Sequence, residues 1–310
     1  MNNLIKPIEA TQLQKFTKIL QEYKASKSNL ESRVKDAESW WKLRNASLSP
    51  SALMQDGGFT SKSGWLHNVI VSKHADAMEA YPEPNILPRE EGDKAEARKL
   101  TTIVPCVLEQ NNFEDTYSEA MWSKMKSGTG VYKVTWNKNK LNGLGDIEVT
   151  ACSILNLFWE GGIKDIQKSR YFFHTELYDK DILEEMYPEQ LKDGVKGNTF
   201  LTSKFLYDDH VDTENKATVI EVYYHKYVGG KNTLQYCKYV NDVVLYATEN
   251  DMQPQVDEFG QVKPPMALLG LYDHGKYPYV FDALYPIEGS PCGYGYVDIC
   301  QNPQTEIDML

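Results

Sequence analysis

The sequence predicts an α+β protein: a helical region with a docked β-hairpin, then a small antiparallel β domain, then the opening turns of one more helix. Three observations predict it. Apolar residues recur at helical spacing in several segments between Leu13 and Met125. Thr129–Asn137 alternates and is rich in β-branched and aromatic residues, as a strand is. Residues 218–248 hold three tyrosine-rich runs separated by Gly229-Gly230 and Asn241-Asp242, both turn signals.

The first helix is expected over residues 11–46. Its stripe is Leu13, Phe16, Leu20, Tyr23, Leu30, Val34, Ala37 and Trp41, interrupted by Lys27, and Ser49-Pro50 marks its end. After a Gly/Ser-rich loop over 51–63, a second helix runs from Ser63 to Ala80 and buries Trp65, Val69, Ile70, Ala77 and Met78. Prolines keep Tyr81–Pro88 extended. Asp93 is the expected N-cap of a helix reaching Glu109, with Ala97, Leu100, Val104 and Leu108 inward and a kink or split at Pro105. Phe113–Ser127 forms the next helix, buries Phe113, Tyr117, Ala120, Met121 and Met125, and stops at Gly128.

Asp146–Thr150 returns beside Thr129–Asn137 to complete the hairpin. Residues 188–217 are polar and read as the main internal boundary. Thr218–Val228, Thr233–Val240 and Val243–Thr248 form a meander, and Met266–Tyr272 is expected as one more strand after a polar loop over Glu249–Pro265. Tyr279–Phe281 and Ala283–Tyr285 are strand-like. Beyond the breakers Pro286, Gly289, Pro291, Gly293 and Gly295, a helix pattern with Val297, Ile299, Ile307 and Leu310 begins. It reaches the last residue without a glycine or basic stop signal, so the end reads as a cut inside a larger architecture.

A chain of 310 residues is long enough for two cores. Its net charge of −11 is unlike that of a sequence-specific duplex-DNA binder, which needs a basic face. It fits a solubilised surface, or a wall along which DNA slides. Cys106, Cys152, Cys237, Cys292 and Cys300 have no metal-ligand spacing and fit free thiols in a reducing compartment. The first residues lack the build of a signal peptide, and no apolar run nears the roughly 20 residues that span a bilayer. The chain is expected to be made in a cytoplasm and to use no membrane.

Candidate chemistry is sparse. Lys126–Gly130 resembles a phosphate loop but leads from helix to strand, the reverse of the order that places phosphate at a helix N-terminus. Gly293-Tyr294-Gly295 lacks the third glycine of a dinucleotide site. No serine or cysteine has a local partner that marks it as an activated nucleophile. No cofactor and no catalytic or metal residue is assigned. Asp208, Asp209 and His210, with Glu221, could hold a divalent metal in a nuclease-like enzyme, although solvated loop charges are the commoner cause of such a cluster. Tyr223, Tyr224, Tyr227, Tyr236, Tyr239 and Tyr246 could stack on single-stranded nucleic acid. The acidic balance favours another division of labour, with some filling the β core and others meeting a protein partner. A monomeric α+β binding module is a further alternative.

Several motifs, in order, carry a family resemblance. They are the proline segment Pro82–Pro88, Gly92-Asp93 with Ala95 and Ala97, and Gly128-x-Gly130 leading into Val131–Trp136. Then come Asn156–Trp159, Asp165-Ile166, Tyr171, and Leu183 to Tyr187-Pro188. Pro278-Tyr279-Val280, Gly293-x-Gly295-x-x-Asp298 and Gln304-x-x-Ile307-Asp308 close the series. Over residues 62–310 the chain resembles the portal proteins of tailed phages, the ring-shaped head-to-tail connectors. It departs at Glu160-Gly161-Gly162, where members usually carry Asp-Pro.

The resemblance implies a helical wing with the hairpin over 1–175, and a stem-like helix and polar linker over 176–217. It implies a clip-like antiparallel β domain over 218–285 and the start of the second stem helix over 286–310. A complete portal would continue past Leu310. The implied function is structural rather than enzymatic: a homo-oligomeric ring, usually of twelve subunits, at one virion capsid vertex, passing duplex DNA non-specifically during packaging and ejection. Implied partners are the terminase large subunit, a head-completion or tail adaptor protein, and capsid and scaffolding proteins. Tyr223, Tyr224, Tyr227, Tyr236 and Tyr239 are the candidate partner surface of the clip.

Overall fold

The computed structural model describes residues 6–43, 63–197, 213–256 and 261–309. In chain order the helices are α1 (Ala10–Ser26), α2 (Ser28–Trp41), α3 (Trp65–Glu79), α4 (Lys94–Gln110) and α5 (Phe113–Ser127). The strands β1 (Thr129–Asn137), β2 (Asp146–Ala151), β3 (Leu157–Trp159) and β4 (Tyr171–Asp179) follow, then α6 (Lys180–Met186). Next are β5 (Lys216–Val228), β6 (Lys231–Val240), β7 (Val243–Ala247), β8 (Gln255–Val256) and β9 (Val262–Lys263). The chain ends with α7 (Met266–Leu269), β10 (Tyr279–Ala283), β11 (Tyr285–Pro286), β12 (Gly293–Tyr294) and α8 (Tyr296–Met309). The fold class is α+β, and the paired strands are antiparallel.

Two compact units emerge, each built from separated stretches. The first takes Met1–Ser32 and Leu155–Tyr277, the second Arg33–Ile154 and Pro278–Leu310. The boundaries expected at 175, 217 and 285 do not coincide with these units.

The first unit is organised by a five-stranded antiparallel sheet in the order β3-β4-β5-β6-β7. The sheet is larger than the expected meander because β3 and β4 join it ahead of β5. On one face lie Tyr171, Phe173, Ile220, Val222, Tyr224, Cys237 and Tyr239, packed against Leu13, Phe16 and Leu20 of α1. On the other face Leu183 and Leu191 pack with Ala217, Val219, Val240 and Leu245. Eight of the nine residues from Ala217 to His225 are buried, the continuous pattern of a strand covered on both faces.

The expected helix over 11–46 is two helices with a break at Lys27. The apparent flaw in the apolar stripe is a buried lysine. Its Nζ donates to the Leu157 carbonyl at 2.7 Å and lies 4.3 Å from the centre of the Phe158 ring. Met266–Tyr272 is not a strand. Pro265 precedes the short helix α7, and Gly270, at φ 82°, ends it.

The second unit packs α2, α3, α5 and α8 around Ala37, Trp40, Leu66, Ile70, Met121, Met125 and Val297. Trp41 stacks on His67 at 4.0 Å and His74 on Trp122 at 3.7 Å. A three-stranded sheet, β10-β1-β2, extends the expected hairpin, because Tyr279–Ala283 pairs with β1.

Several inward assignments are corrected. On α3, Leu66, Ile70 and His74 are buried, whereas Trp65 is 63% exposed. Asp93 makes no side-chain cap and sits in a 3-10 turn before α4. The helix α4 continues through Pro105, only Ala97 is buried on it, and Leu100 is exposed. The sequence pattern fails on α4 because a helix on a surface can have an apolar stripe with little of its own chain to bury it against.

Candidate functional site

Two of the motifs that carry the portal resemblance, Gly128-x-Gly130 and Gly293-x-Gly295-x-x-Asp298, meet in the second unit, whereas those from Asn156 to Pro188 lie in the first. The helix α5 ends because Gly128 takes the left-handed conformation, φ 90°, at its C-terminus. A Cβ at Gly128 would lie 2.3 Å from the Gly293 carbonyl oxygen, and one at Gly295 would lie 2.2 Å from that of Lys126. The two Gly-x-Gly motifs, distant in sequence, are therefore the two sides of one backbone-to-backbone contact. The Leu284 N–H donates to the Gly128 carbonyl at 2.9 Å, and the Gly293 N–H to the Thr129 hydroxyl at 2.9 Å.

Arg33 closes this joint. Its Nη2 donates to the Gly293 carbonyl at 2.9 Å, its Nε is 3.6 Å from Asp298 Oδ1, and its guanidinium lies over the Tyr294 ring. Asp298 Oδ2 accepts the Gly295 N–H at 2.8 Å, the back-reaching arm of a capping box at the start of α8. Burial holds the Asp298 carboxyl above its ordinary range, and the opposing pull of the Gly295 N–H and Arg33 does not cancel it.

The Gln304-x-x-Ile307-Asp308 motif caps another helix. Gln304 Oε1 accepts the Leu66 N–H at 2.9 Å, and Asp308 Oδ1 accepts the Ser63 N–H at 2.8 Å. Gln304 Nε2 donates to Asp308 Oδ1 at 2.8 Å. These side chains satisfy N–H groups at and just before the N-terminus of α3, which has no side-chain cap of its own. The buried face of α8 is thus Val297, as expected, with Gln304 and Asp308, while Ile299 and Ile307 of the expected apolar face are exposed.

The five candidate tyrosines are divided by the first unit's sheet. Tyr223, Tyr224 and Tyr239 are buried in this chain and Tyr236 is half-buried. Tyr227, 76% exposed beside the Gly229-Gly230 turn, is the one that meets solvent. Cross-strand pairing explains the split: Tyr223 lies opposite Phe172 and Tyr236 on one face, Tyr224 opposite Tyr171 on the other. Tyr246 is half-buried.

Buried carboxylates hold the hydroxyls. Glu221 accepts from Tyr236 at 3.0 Å and from Tyr223 at 3.2 Å, and stands 3.5 Å from His174 Nδ1 and 3.7 Å from Lys238 Nζ. Glu249 accepts from Tyr224 and pairs with Lys226. Burial first, and then the Glu249 charge, pushes the Tyr224 phenol far above its ordinary value.

Glu221 is therefore committed to the sheet, not offered to a metal. Asp208, Asp209 and His210 lie outside the described residues. Among the described residues no group of three or more His, Cys, Asp or Glu is placed to hold a metal ion, and no helix is long and apolar enough to cross a membrane.

Sequence reasoning missed Arg33, Lys27 and the Glu221–His174 contact, because each partner lies far away in the chain. Asp298 had a local signal, its place three residues after Gly295, which is the capping-box spacing.

A search of curated proteins gives no match for this chain. A protein-family model for the phage P22-like portal protein matches residues 75–260. The matched segment runs from α3 through the hairpin and the whole five-stranded sheet, more than half of the chain. The chain belongs to the P22-like phage portal protein family.

Proposed function

We propose that the chain is a structural subunit of a ring, of about twelve copies by family resemblance, at one vertex of a phage capsid. Duplex DNA enters and leaves through the ring. The family match over residues 75–260 carries this reading. The meeting of the two Gly-x-Gly motifs at the start of α8 supports it, since a ring under load needs its helices fixed firmly to the rest of the subunit.

In this reading β5, β6 and β7 belong to the clip that docks the terminase large subunit and, later, a tail adaptor. Tyr227 is its candidate contact. The second unit is wing together with the start of the stem, where capsid and scaffolding proteins would bind. ATP hydrolysis belongs to the terminase, and DNA contacts are electrostatic and independent of sequence. The chain's negative balance keeps them weak enough for sliding.

Native mass measurement of the purified chain, with negative-stain images of the same sample, tests the reading. Closed rings with a central hole are expected. Single chains at every concentration would contradict it.

A further inference from the structure

One groove in the second unit has no role in the joint or the core. One wall is the extended segment with Tyr81 and Pro84, the other is the face of α4 with Thr101, Pro105 and Leu108, and Phe113 opens α5 at its end. It encloses about 670 Å³. Glu83, Glu109, Glu114 and Asp115 line it as well, and no Lys, Arg or His is among its lining residues. All four carboxylates are exposed, and none makes an ion pair with a described residue.

The groove is held in shape before anything enters it. The Ile86 N–H donates to Thr101 Oγ1 at 3.2 Å, which fixes the proline segment to α4. Tyr81 meets Phe113 at 6.2 Å and Tyr117 edge-on at 5.4 Å. The turn into α5 is anchored because Asn111 Oδ1 accepts from Lys140 Nζ at 2.6 Å. Pro105 has no N–H to give to the Thr101 carbonyl, one turn back on the same face. Burial, followed by the Glu114 charge, raises the Tyr81 phenol, so ring and carboxylate feel each other.

We infer that this groove docks a cationic amphipathic segment of a partner protein. An Arg or Lys stem would lie on the Tyr81 and Phe113 rings, with its head among the four carboxylates. An aromatic face attracts a cation, and long basic side chains cover apolar surface with their stems. Four like charges without a basic neighbour in the lining select against an acidic or neutral segment. The preformed walls reduce the ordering cost of binding. This inference stands without the ring reading.

The test uses the full chain and a labelled amphipathic helical peptide of leucine, alanine and arginine, followed by fluorescence anisotropy. A second peptide has glutamine in place of arginine. Saturable binding of the arginine peptide is expected, at least about tenfold weaker in the double variant Glu109→Gln/Glu114→Gln, equivalent to about 1.4 kcal/mol. The control Glu185→Gln/Glu189→Gln removes the same charge from exposed positions elsewhere and should leave affinity unchanged. Equal loss in both double variants would overturn the inference in favour of diffuse charge. Equal binding of the glutamine peptide would overturn it in favour of an apolar site. If the peptide does not bind and the Glu109/Glu114 variant alters the native mass, the occupant is a second copy of the chain, and the inference fails.

Discussion

The two units have the same length and use it in opposite ways. The sheet unit buries both faces of its central strands and satisfies its interior hydroxyls with carboxylates. The helical unit fixes its backbone through glycine contacts and leaves apolar side chains outside. Of 25 exposed large apolar residues among the described positions, 18 belong to the helical unit. That excess matters because isolated exposed apolar residues are ordinary, whereas a helix such as α4, with Leu100, Ile103 and the groove on its sides, has surface to give to a partner. The sheet unit keeps most of its large apolar residues covered, and the helical unit leaves more of them at its surface.

The largest expected effect tests the division into two units. Phe16→Ala removes the ring that packs against Tyr171, Tyr224 and Tyr239. It should cost about 3–5 kcal/mol in denaturant unfolding. Hydrogen exchange should show the loss in β4–β6 with α5 unchanged, and equal loss in α5 would merge the two units into one. In the helical unit, Gly295→Ala places a methyl against the Lys126 carbonyl and should cost about 1–3 kcal/mol, with fraying at the start of α8. A neutral effect would show that the joint yields easily.

Glu221→Leu tests the polar interior of the sheet. It leaves the Tyr223 and Tyr236 hydroxyls and the Lys238 charge without this acceptor and should cost about 1–3 kcal/mol. An unchanged midpoint would make the network incidental.

Alkali should separate the units more gently. Burial, aided by the Glu249 charge, pushes the Cys237 thiol from 9.0 to about 12, and burial together with Glu160 pushes the Tyr23 phenol from 10.0 to about 12. The unfolded chain releases these protons first. Their contribution is fully present below pH 9 and is lost as pH rises toward 12. Unfolding free energy measured across that range should fall, and Cys237→Ala should flatten the slope. Tyr296 adds a similar group to the helical unit, which has fewer buried hydroxyls of this kind. At the small end, Ile103→Gln on the surface of α4 should change the free chain's stability by no more than about 0.5 kcal/mol, checked by thermal melting.

Much of the architecture was legible because local chemistry dictated it. The Gly128 stop, the β1–β2 hairpin and the β5–β6–β7 meander follow from residues that adopt one conformation readily. What sequence could not show was which face of an element found a partner. Trp65 and Leu100 read as core and stand outside, whereas Lys27, Gln304 and Asp308 read as surface and are buried because distant backbone groups need them. Tyr223, Tyr224 and Tyr239 are buried for a related reason: alternation along β5 cannot reveal that both faces of the sheet are covered. The candidate joint was visible only as two separate glycine motifs, and their contact is a property of the fold.

The most direct measurement is hydrogen exchange on the free chain and on the ring that the proposed function expects. Protection gained on assembly should concentrate in the part of α4 that carries the exposed Leu100 and Ile103, away from its groove face, and in other exposed parts of the helical unit, with the central strands β4–β6 unchanged. Protection gained in those strands while α4 stays the same would contradict the division between a sheet with covered faces and a helical unit with exposed apolar surface.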